Sequence, residues 1–366
     1  MPELFLSPRV RSTPFSPGVR AAAPKALTVY NHMRLACVFE SPEADCAHLK
    51  KHVQVWDVAA QRQVEVTGPD ACRLVQWMTP RDIVRVSVGA CAYVPVCDDS
   101  GGMLNDPVAM RLDVNHWWLS LADSDVLLYA KGLAIGAGMD VSVREPDVSP
   151  LAVQGPKAED LVARVFGDAI RDIRFFRFAI CRFNGEDHIV ARSGWSKQGG
   201  FEIYVEGRHN GMPVFNALME AGGDLNVRVG CPNGIERLES GLLSYGCDIT
   251  REHTPYQAGL GAYCHPETVE CIGREALLRE AAVGPSRQVR CLDIGGAPVP
   301  QLTDFWPVTG DGGGIGRISS AAWSPEFRTN VAIGMIDRSH WKGGTEVEIH
   351  APDGVRTARI REAFHR

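Results

Sequence analysis

Eleven cysteines are scattered along the chain with no C-x-x-C pair and no short Cys/His cluster. That absence excludes the usual signatures of a zinc site or a disulfide framework, and a reduced, cytoplasmic compartment is the expectation. No apolar run approaches the roughly 20 residues that span a bilayer. The opening MPELFLSPRVRSTPFSPGVR carries no continuous hydrophobic region, so neither a signal peptide nor a membrane anchor is expected. A basic excess is missing too: the formal charge of the 366 residues is -6, which argues against nucleic acid as a partner.

Several catalytic motifs are also lacking. GDGGGIG at 310–316 has no Lys-Ser/Thr of a phosphate loop and no helical pattern after it, so it reads as a glycine-rich hairpin turn. RSGWS lacks the G-x-S-x-G order of a nucleophile elbow, and no H-E-x-x-H is present. What remains has the composition of a globular enzyme, 45% hydrophobic and 22% charged. It is long enough for two or three domains. Small molecules are the expected partners.

Residues 1–26, rich in Pro, Arg and Ser, predict an extended N-terminal arm. Between 27 and 285, strand and helix patterns mix. RQVEVTGPDACRLVQWMT reads as a strand, a turn and a helix opened by Pro69 and Asp70; SPLAVQGPKAEDLVARVFG repeats the device with Pro156 and Glu159. Two copies of strand, Gly-Pro-x-Ala and amphipathic helix predict two related, interleaved α+β units. GMPVFNALMEAGG and NGIERLESGLLSYG predict further helices. From 286 to 366 the pattern turns to short strands, in RQVRCLDIGG, GGGIGRISSAAWS, NVAIGMID and TEVEIHAPDGVRTARI, which predict a C-terminal all-β domain, a small barrel or sandwich.

ARSGWSKQGGFEIYVEG, residues 191–207, poses the functional question. Phe201, Ile203 and Val205 fall on one face of a strand, and Glu202, Tyr204 and Glu206 on the other. A strand face turned to water has little use for a phenol beside a carboxylate.

Four segments together resemble the folate-dependent aminomethyltransferases typified by the glycine-cleavage T-protein: WDVAAQRQVEVTGPDA, SGGMLNDPV, ARSGWSKQGGFEIYVE and IGRISSAAWSP. A closer likeness is to the dimethylsulfoniopropionate demethylases of that superfamily. SPRVRSTPF, YNHM, WDVAAQRQ, ADSDVLLYAKG, QGPKAEDL and GCPNGIERLESGLLS carry it. The resemblance implies an α+β fold: a three-domain clover-leaf ring of two ferredoxin-like units and a C-terminal β-barrel-like domain around a central folate channel. It implies tetrahydrofolate as methyl acceptor and a sulfonium as donor. Alternatives are an aminomethyltransferase, a folate-dependent N- or O-demethylase, or a non-catalytic folate-binding regulatory or assembly protein. A homodimer is possible on this reading.

The resemblance places Glu202 at the pterin, whose N–H edge a carboxylate can accept in charge-assisted bonds. Tyr204 shares its face, and Trp195, Tyr93 and Phe176 are further candidates for the cofactor pocket. A sulfonium favours an aromatic face, which makes Trp195, Tyr30 and Tyr204 candidates on the donor side. Ser120, at a strand end, could hydrogen-bond a substrate, and Lys197 or Arg192 could meet the donor carboxylate. Methyl transfer from a sulfonium releases a neutral thioether, so no acid is needed to protonate the leaving group. Where T-proteins read G-G-I-x-D-D, this chain reads GGMLNDPV. Asn105 and Asp106 are therefore the catalytic candidates, with Asp106 able to orient the acceptor nitrogen or take its proton.

Overall fold

The computed structural model describes residues 7–365. The chain divides into two compact units. One comprises the chain through Ala71 with Val86–Ala92 and Val108–Asn233; the other comprises Cys72–Arg85, Tyr93–Pro107 and the chain from Gly234 on.

The first unit is built on two mixed-in-sequence sheets. A five-stranded sheet runs Ser142–Arg144, Gln63–Thr67, His116–Ser120, Val108–Asp113, Ala90–Tyr93. A six-stranded sheet runs Phe178–Phe183, Glu186–Ala191, Gly200–Glu206, Val148–Gln154, Val53–Asp57, Val227–Gly230. Helices Ala158–Phe166 and Gly211–Ala221 pack on the second sheet and on each other. Leu161, Val162, Val214 and Leu218 join Val55, Leu151, Phe201 and Ile203 in a dry core.

The repeated Gly-Pro-x-Ala device has one physical cause in both copies. Gly68 and Gly155 take φ of +121° and +120°, and a Cβ at either would collide with a backbone carbonyl, that of Asp140 or of His52. Only glycine lets the chain turn from strand to helix at such close approach. The helices then begin at Ala71 and Ala158.

The N-terminal segment departs from the expected extended arm. Ser16–Ala21 is helical with Pro17 in the first turn, Phe15 is fully buried in the main core, and Thr13 Oγ1 donates to Asp57 Oδ2 at 2.5 Å. A six-residue helix with one buried side chain, Val19, leaves no periodic signal in the sequence. The first six residues of that arm lie outside the described residues.

In the second unit, six antiparallel strands close into a barrel in the order Arg287–Ile294, Thr329–Asp337, Gly313–Ser324, Trp306–Gly310, Glu346–Ala351, Gly354–Ile360. Its interior is filled by Leu292, Trp306, Val308, Ile318, Ile336 and Ile349. GDGGGIG is the hairpin turn expected of it: Asp311 and Gly312, both with positive φ, join two barrel strands. Helix Arg274–Val283, not anticipated, buries only Leu277 and so shows little amphipathic pattern. Among the described residues no helix is long and apolar enough to cross a membrane. Nor do any of them form a His/Cys/Asp/Glu group able to hold a metal ion.

Candidate functional site

Strand Gly200–Glu206 runs between Glu186–Ala191 and Val148–Gln154, with Glu202 opposite Ala152 and Ala191 and Tyr204 opposite Pro150 and Ile189. Its alternation separates two faces as expected, and Phe201, Ile203 and Val205 sit in the main core. The other face does not meet water. Glu202 is 5% exposed and Tyr204 0%.

Glu202 Oε2 accepts from Ser193 Oγ at 2.5 Å. Burial pushes its carboxyl above the usual range, partly offset by Ser193 and Tyr204. The Tyr204 ring packs with Trp118, Met110, Cys91 and Ile189, and Phe176 lies against the same cluster. Its hydroxyl is buried and makes no hydrogen bond of good geometry among the described residues, although Glu202 and Ser120 lie close enough to interact with it. Such a group costs about 1–3 kcal/mol, so its placement asks for an explanation. Burial first, then the nearby Glu202 and Cys91, drive the phenol well above its ordinary pKa; Ser120 is close enough to temper the shift. Ser120 is itself buried and accepts from Gln63 Nε2 at 3.0 Å.

The preceding loop is shaped by Gln154, whose Oε1 accepts from Ser196 at 2.8 Å and whose Nε2 donates to the Ser193 carbonyl at 3.2 Å. Trp195 is half-buried and Lys197 exposed. Gly200 allows a close approach to strand Val148–Gln154, where a Cβ would meet the Val153 carbonyl, whereas Gly199 stands in open space. Arg192 is not held for a ligand: it donates to Glu159 Oε2 at 2.7 Å and to the Ile173 carbonyl at 3.2 Å, over the Phe201 ring. Tyr30, half-buried, ends strand Ala26–Tyr30. The next residue, Asn31, pins it: its N–H donates to Asp123 and its amide to the Ala60 and Ala122 carbonyls. Sequence reading passed over Ser193 and Asn31, because neither a lone serine nor an asparagine in a turn carries a pattern.

In the second unit, the short strand Met103–Asn105 pairs with Val96–Cys97, and Asn105 is completely buried opposite Val96. Asp106 follows it. Its Oδ2 accepts from the Tyr93 hydroxyl at 2.6 Å, and its Oδ1 is buried with no partner among the described residues. Burial, with Asp248 adding to it and Tyr93 opposing it, pushes the Asp106 carboxyl up to about 7. Tyr245 donates to the Met103 carbonyl at 2.9 Å, and its phenol is pushed up to about 12 by burial and by Asp106. Tyr93, expected in a folate pocket, is here the hydrogen-bond donor to Asp106, its ring edge-on to Tyr263 at 5.4 Å. The structure therefore gathers Glu202, Tyr204, Ser120 and Phe176 in the first unit, and Asp106, Asn105 and Tyr93 in the second.

Comparison with known proteins gives this arrangement its context. The GCVT N-terminal domain matches residues 19–268, and the glycine cleavage T-protein C-terminal barrel domain matches residues 287–364. A dimethylsulfoniopropionate demethylase from Ruegeria pomeroyi is 60% identical over 100% of both chains. An aminomethyltransferase from Symbiobacterium thermophilum is 29% identical over 85% of this chain and 86% of its own. The crystal structure of a glycine cleavage system aminomethyltransferase T from Bartonella henselae shares the fold, with a TM-score of 0.86 at 22% identity over 98% of each chain. Matched in order by both of its characteristic domains, the chain belongs to the glycine cleavage T-protein family.

Proposed function

We propose that this chain is a tetrahydrofolate-dependent methyltransferase that demethylates dimethylsulfoniopropionate, giving methylthiopropionate and 5-methyltetrahydrofolate. The observation that carries the reading is the 60% identity, end to end, to the Ruegeria pomeroyi demethylase, twice that to the Symbiobacterium aminomethyltransferase.

The residues suit a reduced folate. Glu202 is a buried carboxylate with one oxygen bonded to Ser193, beside the buried Tyr204 hydroxyl. A flat ligand edge rich in N–H donors would satisfy the carboxylate, and charge-assisted bonds of that kind favour its ionised form, reversing the effect of burial. Ser193 fixes the orientation of the carboxylate. Tetrahydrofolate, when bound, supplies the nitrogen that accepts the methyl group and then sheds a proton. Asp106 is our candidate to take that proton. A base works best with a pKa close to the working pH, and a carboxyl at about 7 with one unpartnered oxygen has that property. Asn105 cannot ionise and serves as a buried neighbour. Trp195 offers the donor sulfonium an aromatic face, a contact of about 1–2 kcal/mol once water is excluded; Tyr30 and Lys197 remain donor-side candidates.

Incubating the protein with tetrahydrofolate and dimethylsulfoniopropionate should yield methylthiopropionate and 5-methyltetrahydrofolate in equal amounts. Formation of 5,10-methylene product from an aminomethyl donor instead would assign the other activity of the family. In the same assay Glu202→Ala should weaken folate binding by roughly 1.5–3 kcal/mol, the range of a hydrogen bond to a charged group.

A further inference from the structure

Arg81 lies in the turn after helix Ala71–Met78, and its backbone is fixed from three sides. Gln76 Nε2 donates to its carbonyl at 2.9 Å, its own N–H donates to Thr79 Oγ1 at 3.2 Å, and the next N–H but one, that of Ile83, donates to Gln76 Oε1 at 3.0 Å. The side chain is half-buried. Its guanidinium stacks over Tyr263 at 4.9 Å and gives one hydrogen bond, from Nη1 to the Tyr93 carbonyl at 2.5 Å. A guanidinium has five N–H donors. Among the described residues, no carboxylate pairs with Arg81.

A cation half withdrawn from water with no anion beside it is less well solvated than a free one, and a carboxylate arriving there would recover part of that loss. The Tyr263 ring and the Tyr93 carbonyl hold the position of this one and leave its charge uncompensated. The tyrosine it bonds is Tyr93, whose hydroxyl holds Asp106. Both methyl-transfer substrates of the proposed reaction carry carboxylates: the donor at the end remote from its sulfonium, the folate on its glutamate tail. Arg192, the alternative from the sequence, is already paired with Glu159.

We propose that Arg81 is a carboxylate-binding residue of the enzyme, placed by Gln76 and Tyr263 to receive the carboxylate of a substrate beside the Tyr93–Asp106 pair. The inference rests on the demethylase reading for the identity of the ligands. A planar guanidinium offers a carboxylate two parallel N–H donors, which an ammonium does not.

The test compares the full-length protein with Arg81→Gln and Arg81→Lys against paired ligands. Dimethylsulfoniopropionate is set against its amide, 3-(dimethylsulfonio)propanamide, and tetrahydrofolate against tetrahydropteroate, which lacks the glutamate. If the donor carboxylate is the ligand, Arg81→Gln raises KM for dimethylsulfoniopropionate at least tenfold and leaves KM for the amide within twofold, with Arg81→Lys between. If the glutamate is the ligand, the same selective loss appears in the dissociation constant for tetrahydrofolate and not for tetrahydropteroate. An equal effect on both members of each pair, or none, overturns the proposal and leaves Arg81 as a support for Tyr93. Should Arg81→Gln fail to fold, Arg81→Lys still reads the coupling. Folate binding is measured without turnover, so a parent protein that binds folate but does not demethylate would sink the functional reading while this inference is still judged on the folate pair.

Discussion

Asp106 is a carboxylic acid with half of its hydrogen-bonding capacity unused, and that has a cost which depends on pH. Its folded pKa of about 7 lies above the usual 3.8. The protonated form therefore suits the fold, and the stabilisation from this group is complete below about pH 4 and is lost as the pH rises to about 7. A shift of this size corresponds to at most roughly 4 kcal/mol. Asp106→Asn should accordingly raise the melting temperature relative to the parent at pH 8, by an amount equivalent to about 1–3 kcal/mol, with the gap closing towards pH 4. The same variant should lose the rise in demethylation rate that the parent shows through about pH 7. Equal stabilisation across that range would mean that the carboxyl is ordinary. Glu202 carries the same sign of shift, but its bond from Ser193 and its N–H-rich proposed ligand both favour ionisation.

The elements explain what could be read from sequence and what could not. Gly-Pro-x-Ala was legible twice because the constraint is local: a glycine at φ near +120° followed by a proline leaves few alternatives. Barrel strands were legible as short runs bounded by turn residues, most plainly at Glu346–Ala351, where exposed and buried residues alternate. The alternation at 201–206 sorted Phe201, Ile203 and Val205 from Glu202 and Tyr204, yet period two says only that two faces differ. It does not say whether the second meets water or a cluster holding Trp118 and Met110, which come from another sheet. The Arg81–Tyr263 contact was illegible for the same reason, since it spans a large sequence separation; Ser193, only nine residues from Glu202, was missed because a lone serine in a loop carries no pattern. At this scale Gly155→Ala should destabilise the protein by about 2 kcal/mol or more, through positive-φ strain and collision with the His52 carbonyl. Gly223→Ala, in open space with no such backbone demand, should change stability little. Chemical denaturation of the two variants separates them, and equal midpoints would show that the turn is softer than its geometry implies.

At the level of the whole molecule, each unit draws on separated stretches of chain. Met103 is fully buried among Leu238, Ile249, Ala258, Val289 and Val331, none of them within a hundred residues of it. A chain ended after Asn233 removes all five, and hydrogen exchange should then show the amides of 93–107 unprotected, where the full-length protein protects them. Persistent protection in the shortened chain would mean that this segment has a local source of order.

The same interleaving sets a timetable for manufacture. A ribosome releases Tyr93 and Asp106 roughly 140 residues before Tyr245, which at 5–20 residues per second is a delay of roughly 7 to 28 s. Through that interval the acid is solvated and ordinary, titrating near 4. Its neutral-range proton affinity is acquired late, so the newborn protein cannot carry its proposed base in working form until the last third of the polypeptide, with Tyr245 and Asp248 at its start, has begun to emerge.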